Sequence, residues 1–282
     1  MERLIMDCIG ITKRILQVFK EGTALVRIHN RLSDRTYELS ENYIIRKYIE
    51  QSFPERNIAS LSDKTCKILA AFSEVFSKKD IKNIVYIGAH DGSMAISFNE
   101  AFPGCTFYLF EPVPETFSIL KNNTKQYPNM NCFNYAIGAT FGQVRMFKDD
   151  FSAASSILPY ESVCMQEFPF LGKQTEISVK IRCLDDIVQT NNIPGVDLMI
   201  IDTQGFEDEV LKGAEKILTR CKAIVCEMSL RHLYKDSSSF SSIYQTMCQH
   251  GFELDSIADT IKGRSGMILQ IDGVFLKREK HA

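Results

Sequence analysis

The chain has no tryptophan, only 8 prolines and 15 glycines among 282 residues, and no apolar run near the ~20 residues of a bilayer span. So few breakers exclude a glycine- or proline-rich repeat protein. An excess of one charge sign is also missing: 33 Lys and Arg stand against 35 Asp and Glu, a net charge of -2. No chain-wide basic field exists to attract nucleic acid or an anionic membrane, and none is expected as a partner. The densest basic stretch, Lys78, Lys79 and Lys82, reads as a solvated helix end. The 9 cysteines are odd in number and no pair has C-x-x-C spacing, which excludes the common zinc and dithiol motifs. Cys221 and Cys226 lie in an apolar run, where free thiols behave as small hydrophobes. Residues 1–19 carry Glu2, Asp7, Lys13 and Arg14 and lack the unbroken apolar core of a signal peptide. The expected location is the cytoplasm.

What is present is enough apolar material, 45% of residues, to build a sizeable core. Residues 1–78 read as a helical N-terminal extension. Ile5, Cys8, Ile11, Ile15 and Val18 recur at helical spacing, a second helix is expected from Glu41 to Phe53, and a third begins near Ser60 with Ser62 as a cap. This extension is read as a packing cap, a substrate lid or the surface of a homodimer. Residues 79–282 alternate strand and helix. Strands are expected at Asn83–Gly88, Thr106–Phe110, Asn131–Ile137, Gly142–Lys148, Glu176–Arg182, Val196–Ile201, Cys221–Glu227, Phe252–Ile257 and Leu269–Leu276. Helices are expected at Ser93–Phe102, Pro114–Gln126, Glu207–Leu218 and Ser238–His250. Continuous apolar strands separated by helices of this length imply an α/β fold with a mostly parallel sheet.

Three segments carry the candidate chemistry. In Tyr86-Ile-Gly88-Ala89-His90-Asp-Gly92-Ser93 a strand turns into a helix, with glycines free to turn sharply and to admit a ligand near the first helical N–H groups. The spacing is G-x-x-x-G, so the dinucleotide fingerprint G-x-G-x-x-G is absent. Glu111 ends the next strand, 23 residues after Gly88, where an acidic side chain can accept from both hydroxyls of a ribose, and Pro112 restricts the following turn. Asp202, Gln204 and Glu207 follow a later buried strand and are expected at the same carboxyl edge. Glu207 can equally complement the N-terminus of its own helix.

The series YIGAHDGS, FEPVPETFSILKNN, YAIGATFG, ASSIL, IRCLDDIV, DLMIIDTQGFEDEVLKGAEKIL and IVCEMS resembles the FkbM family of methyltransferases over residues 83–278. The resemblance implies a Rossmann-like class I methyltransferase fold, with an antiparallel C-terminal strand in the mostly parallel sheet, S-adenosylmethionine as methyl donor, and a hydroxyl acceptor on a sugar, glycan or secondary metabolite. It also implies that Gly88, Ala89, His90 and Gly92 form the donor loop and that Glu111 binds the ribose. Asp202, Gly205 and Glu207 then match the later acidic block, Ser155 and Ser156 a serine pair, and Glu227 an acid ending a strand. These last three, with Gln204 and Glu207, are the candidate acceptor-side residues. One position departs from the pattern: Tyr86 stands where the family usually has an acid that holds the methionine end of the donor, with Asp91 as a substitute.

An alkyl sulfonium is already electrophilic, so the protein has mainly to align the acceptor oxygen and take its proton. Asp202 is the first candidate base, with His90 and His232 behind it. No resident metal is expected, since Asp202 and Glu227 alone are a thin ligand set. Tyr86 leaves a second reading open, a catalytically inactive module of the same fold that recognises a metabolite or a protein. A nicotinamide oxidoreductase is disfavoured by the missing fingerprint.

Overall fold

A computed structural model describes residues 45–47, 61, 63–76 and 81–278. The chain divides into two compact units, 1–47 and 48–282. Of the first, Ile45–Lys47 is helical, within the expected second helix; the expected first helix, Ser62, Lys78 and Lys79 lie outside the described residues.

The second unit is built on a seven-stranded sheet of order β3-β2-β1-β7-β8-β10-β9. Its centre comprises β1 (Asn83–Ile87), β2 (Thr106–Phe110), β7 (Leu198–Ile201) and β8 (Ala223–Ser229). These strands are buried almost throughout, because helices cover both faces, and this is why they read as unbroken apolar runs. β1 pairs in parallel with β2 and β7, and β7 in parallel with β8. At one edge lies β3 (Met130–Phe133), parallel to β2. At the other, β10 (Ile268–Lys277) runs antiparallel to both β8 and β9 (Phe252–Lys262), so it is the reversed strand of the sheet. β9 alternates buried and exposed residues as an edge strand should, and extends past the expected end at Ile257.

Three expectations need correction. The single strand foreseen over 131–137 is two, β3 and β4 (Ala136–Ile137), in different sheets. The Asn134 amide bonds the carbonyls of Glu111 (2.9 Å) and Pro112 (3.0 Å) where the chain leaves the main sheet. β4 then joins β6 (Thr175–Arg182) and β5 (Gly142–Lys148) in a small second sheet with its own core around Met146, Val179 and Ile181. The helix foreseen over 207–218 is two short ones, Glu207–Lys212 and Glu215–Leu218. Helices at Ser162–Glu167 and Leu184–Thr190 add to the four foreseen in this region of the chain.

Helix α1 (Asp63–Phe76) belongs to this second unit and packs against β9, β10 and the helix α2 (Ser93–Ala101). Leu69 and Ile68 are buried beneath it, and Lys64 on its first turn is directed toward the carboxyl edge of the sheet.

Candidate active site

β1 and β7 end side by side, and there the chain has no room for a side chain. Gly88 adopts φ +82°, and a Cβ on it would lie 1.9 Å from the carbonyl oxygen of Asp202. The turn is clamped to the neighbouring strands: the N–H groups of Gly88 and Ala89 both donate to Phe110 O (3.0 and 2.9 Å), and Asp202 N donates to Ile87 O (3.0 Å). Glu111 sits beside this turn with both carboxyl oxygens engaged once, Oε2 by the His90 N–H at 3.1 Å and Oε1 by the Val113 N–H at 2.9 Å. Burial pushes its pKa up to about 7, against those two N–H groups, and the charge of Asp202 adds to the rise.

Gly88, Ala89, His90, Glu111, Pro112 and Asp202 all line one cavity of about 460 Å³. Two expected members of the donor loop behave differently. Gly92 turns away from the cavity, where a Cβ would come 2.7 Å from Leu120 Cδ1; it lets α2 pack closely on the helix Pro114–Thr124. Tyr86 lines the cavity but is 5% exposed, and burial followed by the charge of Asp202 raises its phenol pKa, so it presents a neutral hydroxyl. His90 Nε2 lies 2.7 Å from Ser152 Oγ, and its Nδ1 is 3.6 Å from Asp91.

On the other side of Asp202 the cavity floor is a charged network. Gln204 Nε2 donates to Asp202 Oδ1 (2.8 Å) and to Glu227 Oε2 (2.9 Å), and Gln270 Nε2 donates to the same Glu227 oxygen (2.7 Å). Lys64 Nζ pairs with Asp202 Oδ2 (3.4 Å) and Asp272 Oδ2 (2.9 Å). Burial, then Asp202 and Asp272, raise the Glu227 pKa well above the usual carboxylate range. Burial opposes the charge on Lys64, but Asp202 and Asp272 outweigh it and hold the ammonium protonated.

Gln204 can serve this network because its backbone is held at φ +55°. Ser156 Oγ donates to Gln204 O at 2.7 Å, and the Tyr234 hydroxyl donates to Gln204 Oε1 at 2.9 Å. Glu207 accepts from Thr203 N (3.2 Å), Thr203 Oγ1 (3.0 Å) and Gly205 N (3.0 Å), fully inside the turn, with its pKa pushed by burial up to about 7. Ser156 and Glu207 are therefore outside the cavity lining and shape the turn instead. Ser155 borders the cavity, with its hydroxyl accepting from Asp149 N at 3.1 Å. His232 is exposed, bonded to Ser237 at 3.1 Å, and does not line the cavity.

The mouth is apolar. Phe151 and Phe170 meet edge to face at 5.6 Å with Phe168 beside them, while Tyr160 packs outside against Tyr234. Lys64, Gln270, Asp272, Ser152 and Tyr234 escaped the sequence reading. Gln270 and Asp272 are detectable in principle, as alternate polar residues in an otherwise apolar strand; nothing local distinguishes Lys64.

Residues 87–254 match the Methyltransferase FkbM domain. The 2-O-methyltransferase NoeI of Sinorhizobium fredii (strain NBRC 101917 / NGR234) is 26% identical over 245 residues, which are 84% of this chain and 92% of that protein. Among solved structures, Aeropyrum pernix fibrillarin in complex with natively bound S-adenosyl-L-methionine is similar over 70% of this chain and 67% of its own, with 14% identity and a TM-score of 0.41. The putative RNA methyltransferase PH1948 from Pyrococcus horikoshii is similar over 78% of this chain and 84% of its own, with 11% identity and a TM-score of 0.43. The chain belongs to the FkbM methyltransferase family and is an S-adenosylmethionine-dependent O-methyltransferase.

Proposed function

We propose that the acceptor is a hydroxyl of a sugar, glycan or other small metabolite, bound on the Asp202 side of the cavity, and that Asp202 receives its proton. The observation that carries this reading is the convergence of Gly88, Glu111 and Asp202 on one cavity.

The donor fits the residues present. Each Glu111 oxygen accepts one backbone N–H and retains a lone pair, so the carboxylate can take both hydroxyls of a ribose. Asp91 lines the same cavity; burial opposes its ionisation, but the Ser93 N–H and then His90 outweigh it and keep its pKa below the usual value. A carboxylate there suits the methionine ammonium that Tyr86, a neutral phenol, does not pair. When bound, S-adenosylmethionine supplies a methyl group on a positively charged sulfur, which is left as a neutral thioether.

Asp202 faces the acceptor with one Gln204 N–H on Oδ1 and the Lys64 ammonium on Oδ2, leaving each oxygen a further lone pair for the hydroxyl proton. Glu227 and the Gln204 amide offer neighbouring hydrogen-bonding groups that orient a polyol. The aromatic mouth formed by Phe151, Phe168 and Phe170 supports an acceptor with an apolar face, and the balanced charge supports a small molecule over nucleic acid. Cys221 and Cys226 are buried free thiols, in keeping with a cytoplasmic setting.

Two measurements test the reading together. Calorimetry with S-adenosylhomocysteine is expected to show 1:1 binding to the folded chain. Radiolabel from S-adenosylmethionine is expected to pass to members of a panel of methyl glycosides and phenols, and to stop passing in Asp202→Asn. An Asp202→Asn protein that methylates as fast as the parent removes Asp202 from the mechanism.

A further inference from the structure

Three carboxyl groups, Asp202, Glu227 and Asp272, gather near the carboxyl ends of β7 and β8 and in the amino-terminal half of the antiparallel β10, and the cation that reaches them comes from α1, outside the residues matched by the family domain. Asp272 stands opposite Glu227 in the β8–β10 register, and Gln204 bridges Glu227 to Asp202.

We propose that Lys64 is a positioning residue of the methyl-transfer site, holding the Asp202 carboxylate in the orientation in which it takes the acceptor's proton. The inference rests on the assignment of Asp202 above. Lys64 meets Oδ2 while Gln204 meets Oδ1, so the carboxylate plane is fixed from two sides. Asp272 is the second anchor: its 2.9 Å contact holds the ammonium in place over the floor. Lys64 itself borders the cavity, with its side chain 26% exposed. It therefore acts from the wall and leaves space beside Asp202 for an acceptor.

The groups facing Asp202 come from every surrounding element, and most are neutral or negative. They are Tyr86 on β1, Glu111 after β2, Glu207 at the start of its helix, Glu227 on β8, Tyr234 in the following loop and Asp272 on β10. Lys64 is the cation among these described neighbours. Removing it takes away the contact on Asp202 Oδ2 and leaves the Gln204 bond on Oδ1.

The test reads structure and rate on the full-length protein. A crystal structure of ligand-free Lys64→Met is expected to show the Asp202 carboxylate turned away from the parent's placement or spread over more than one conformer, while Lys64→Arg, which can still reach Oδ2 and Asp272, keeps that placement. In methyl transfer to the glycoside panel, Lys64→Met should lower kcat at least about tenfold while acceptor KM and S-adenosylhomocysteine affinity stay within about twofold of the parent, because a misplaced carboxylate costs the chemical step and not binding. Lys64→Arg should recover most of the lost rate. An Asp202 carboxylate that keeps its placement in Lys64→Met, or a Lys64→Met protein with the parent's kcat, overturns the proposal; should Lys64→Met not fold, Lys64→Gln is read by the same criteria. If Asp202→Asn loses transfer while Lys64→Met keeps the parent's placement and rate, this inference alone fails. If Asp202→Asn methylates normally, the assignment beneath it fails too.

Discussion

Glu111 is a carboxyl buried to 6% exposure beside a turn that donates to it twice, so its ionisation and the ligand's binding are linked. Ribose hydroxyls donate best to the charged form, whereas burial holds the free group's pKa at about 7. Affinity for S-adenosylhomocysteine should therefore rise from about pH 6 to about pH 8, with proton release on binding measurable by calorimetry in buffers of different ionisation enthalpy. Glu111→Gln should bind at least about tenfold more weakly, the loss expected for a charge-assisted hydrogen bond, and its affinity should not change over that pH range. Gly88 is constrained more severely. At φ +82° and with the Asp202 carbonyl 1.9 Å from where a Cβ would stand, Gly88→Ala must separate the ends of β1 and β7. The backbone conformation alone costs about 1–3 kcal/mol. Urea unfolding should show at least that loss, and donor binding should disappear with it.

Between residue and fold stands the Asp202–Phe206 turn, which carries the proposed base but is shaped from elsewhere. Ser156, after β5, donates to Gln204 O; Tyr234, after β8, donates to the Gln204 side chain; Glu207 gathers the Thr203 and Gly205 N–H groups. Ser156→Ala removes the pin and also the hydroxyl that accepts from Leu158 N at 3.1 Å. It should cost about 1–2 kcal/mol in urea unfolding. Because the Gln204 amide orients Asp202, kcat should fall several-fold while S-adenosylhomocysteine affinity stays near the parent value. An equal loss in both would mean that the turn supports the donor side as well.

For the whole molecule, the buried acids set how stability depends on pH. Glu111 and Glu207 both rise from 4.5 to about 7, so the native state holds protons that the unfolded chain has released. Their contribution is complete below about pH 4.5 and is lost as pH climbs through about 7, roughly 3 kcal/mol for each carboxyl at most. Glu227 and Asp272, also raised, act in the same direction. Asp197 opposes the trend at the acid end: burial disfavours its charge, yet Lys222 and the Lys82 and Asn83 N–H groups hold its pKa below the ordinary value, and its contribution is lost as pH falls. Free energies from urea unfolding of the ligand-free protein should decline between about pH 5 and about pH 8. Glu207→Gln, which keeps the accepting oxygen, should flatten that decline by its share and leave stability at pH 8 equal or higher.

The order of the strands along the chain, the Gly88 turn and the acid closing β2 were legible from residues alone, because continuous apolar runs, glycine and a carboxyl at a strand end are local signals. The two-way use of residues 131–137, the packing role of Gly92 and the inward turn of Glu207 were not, since each depends on a neighbour distant in sequence. The same holds for the cavity floor. Lys64 meets Asp202 across 138 residues, and Gln270 meets Glu227 across 43. Hydrophobic periodicity encodes which side of an element is covered, and so the amino-acid sequence determined a mostly parallel α/β sheet with its candidate residues at one carboxyl edge. Which charged side chains stand over that edge is decided by the pairing of β8 with β10 and the docking of α1. Only those long-range contacts bring one ammonium and three carboxyl groups into a single field.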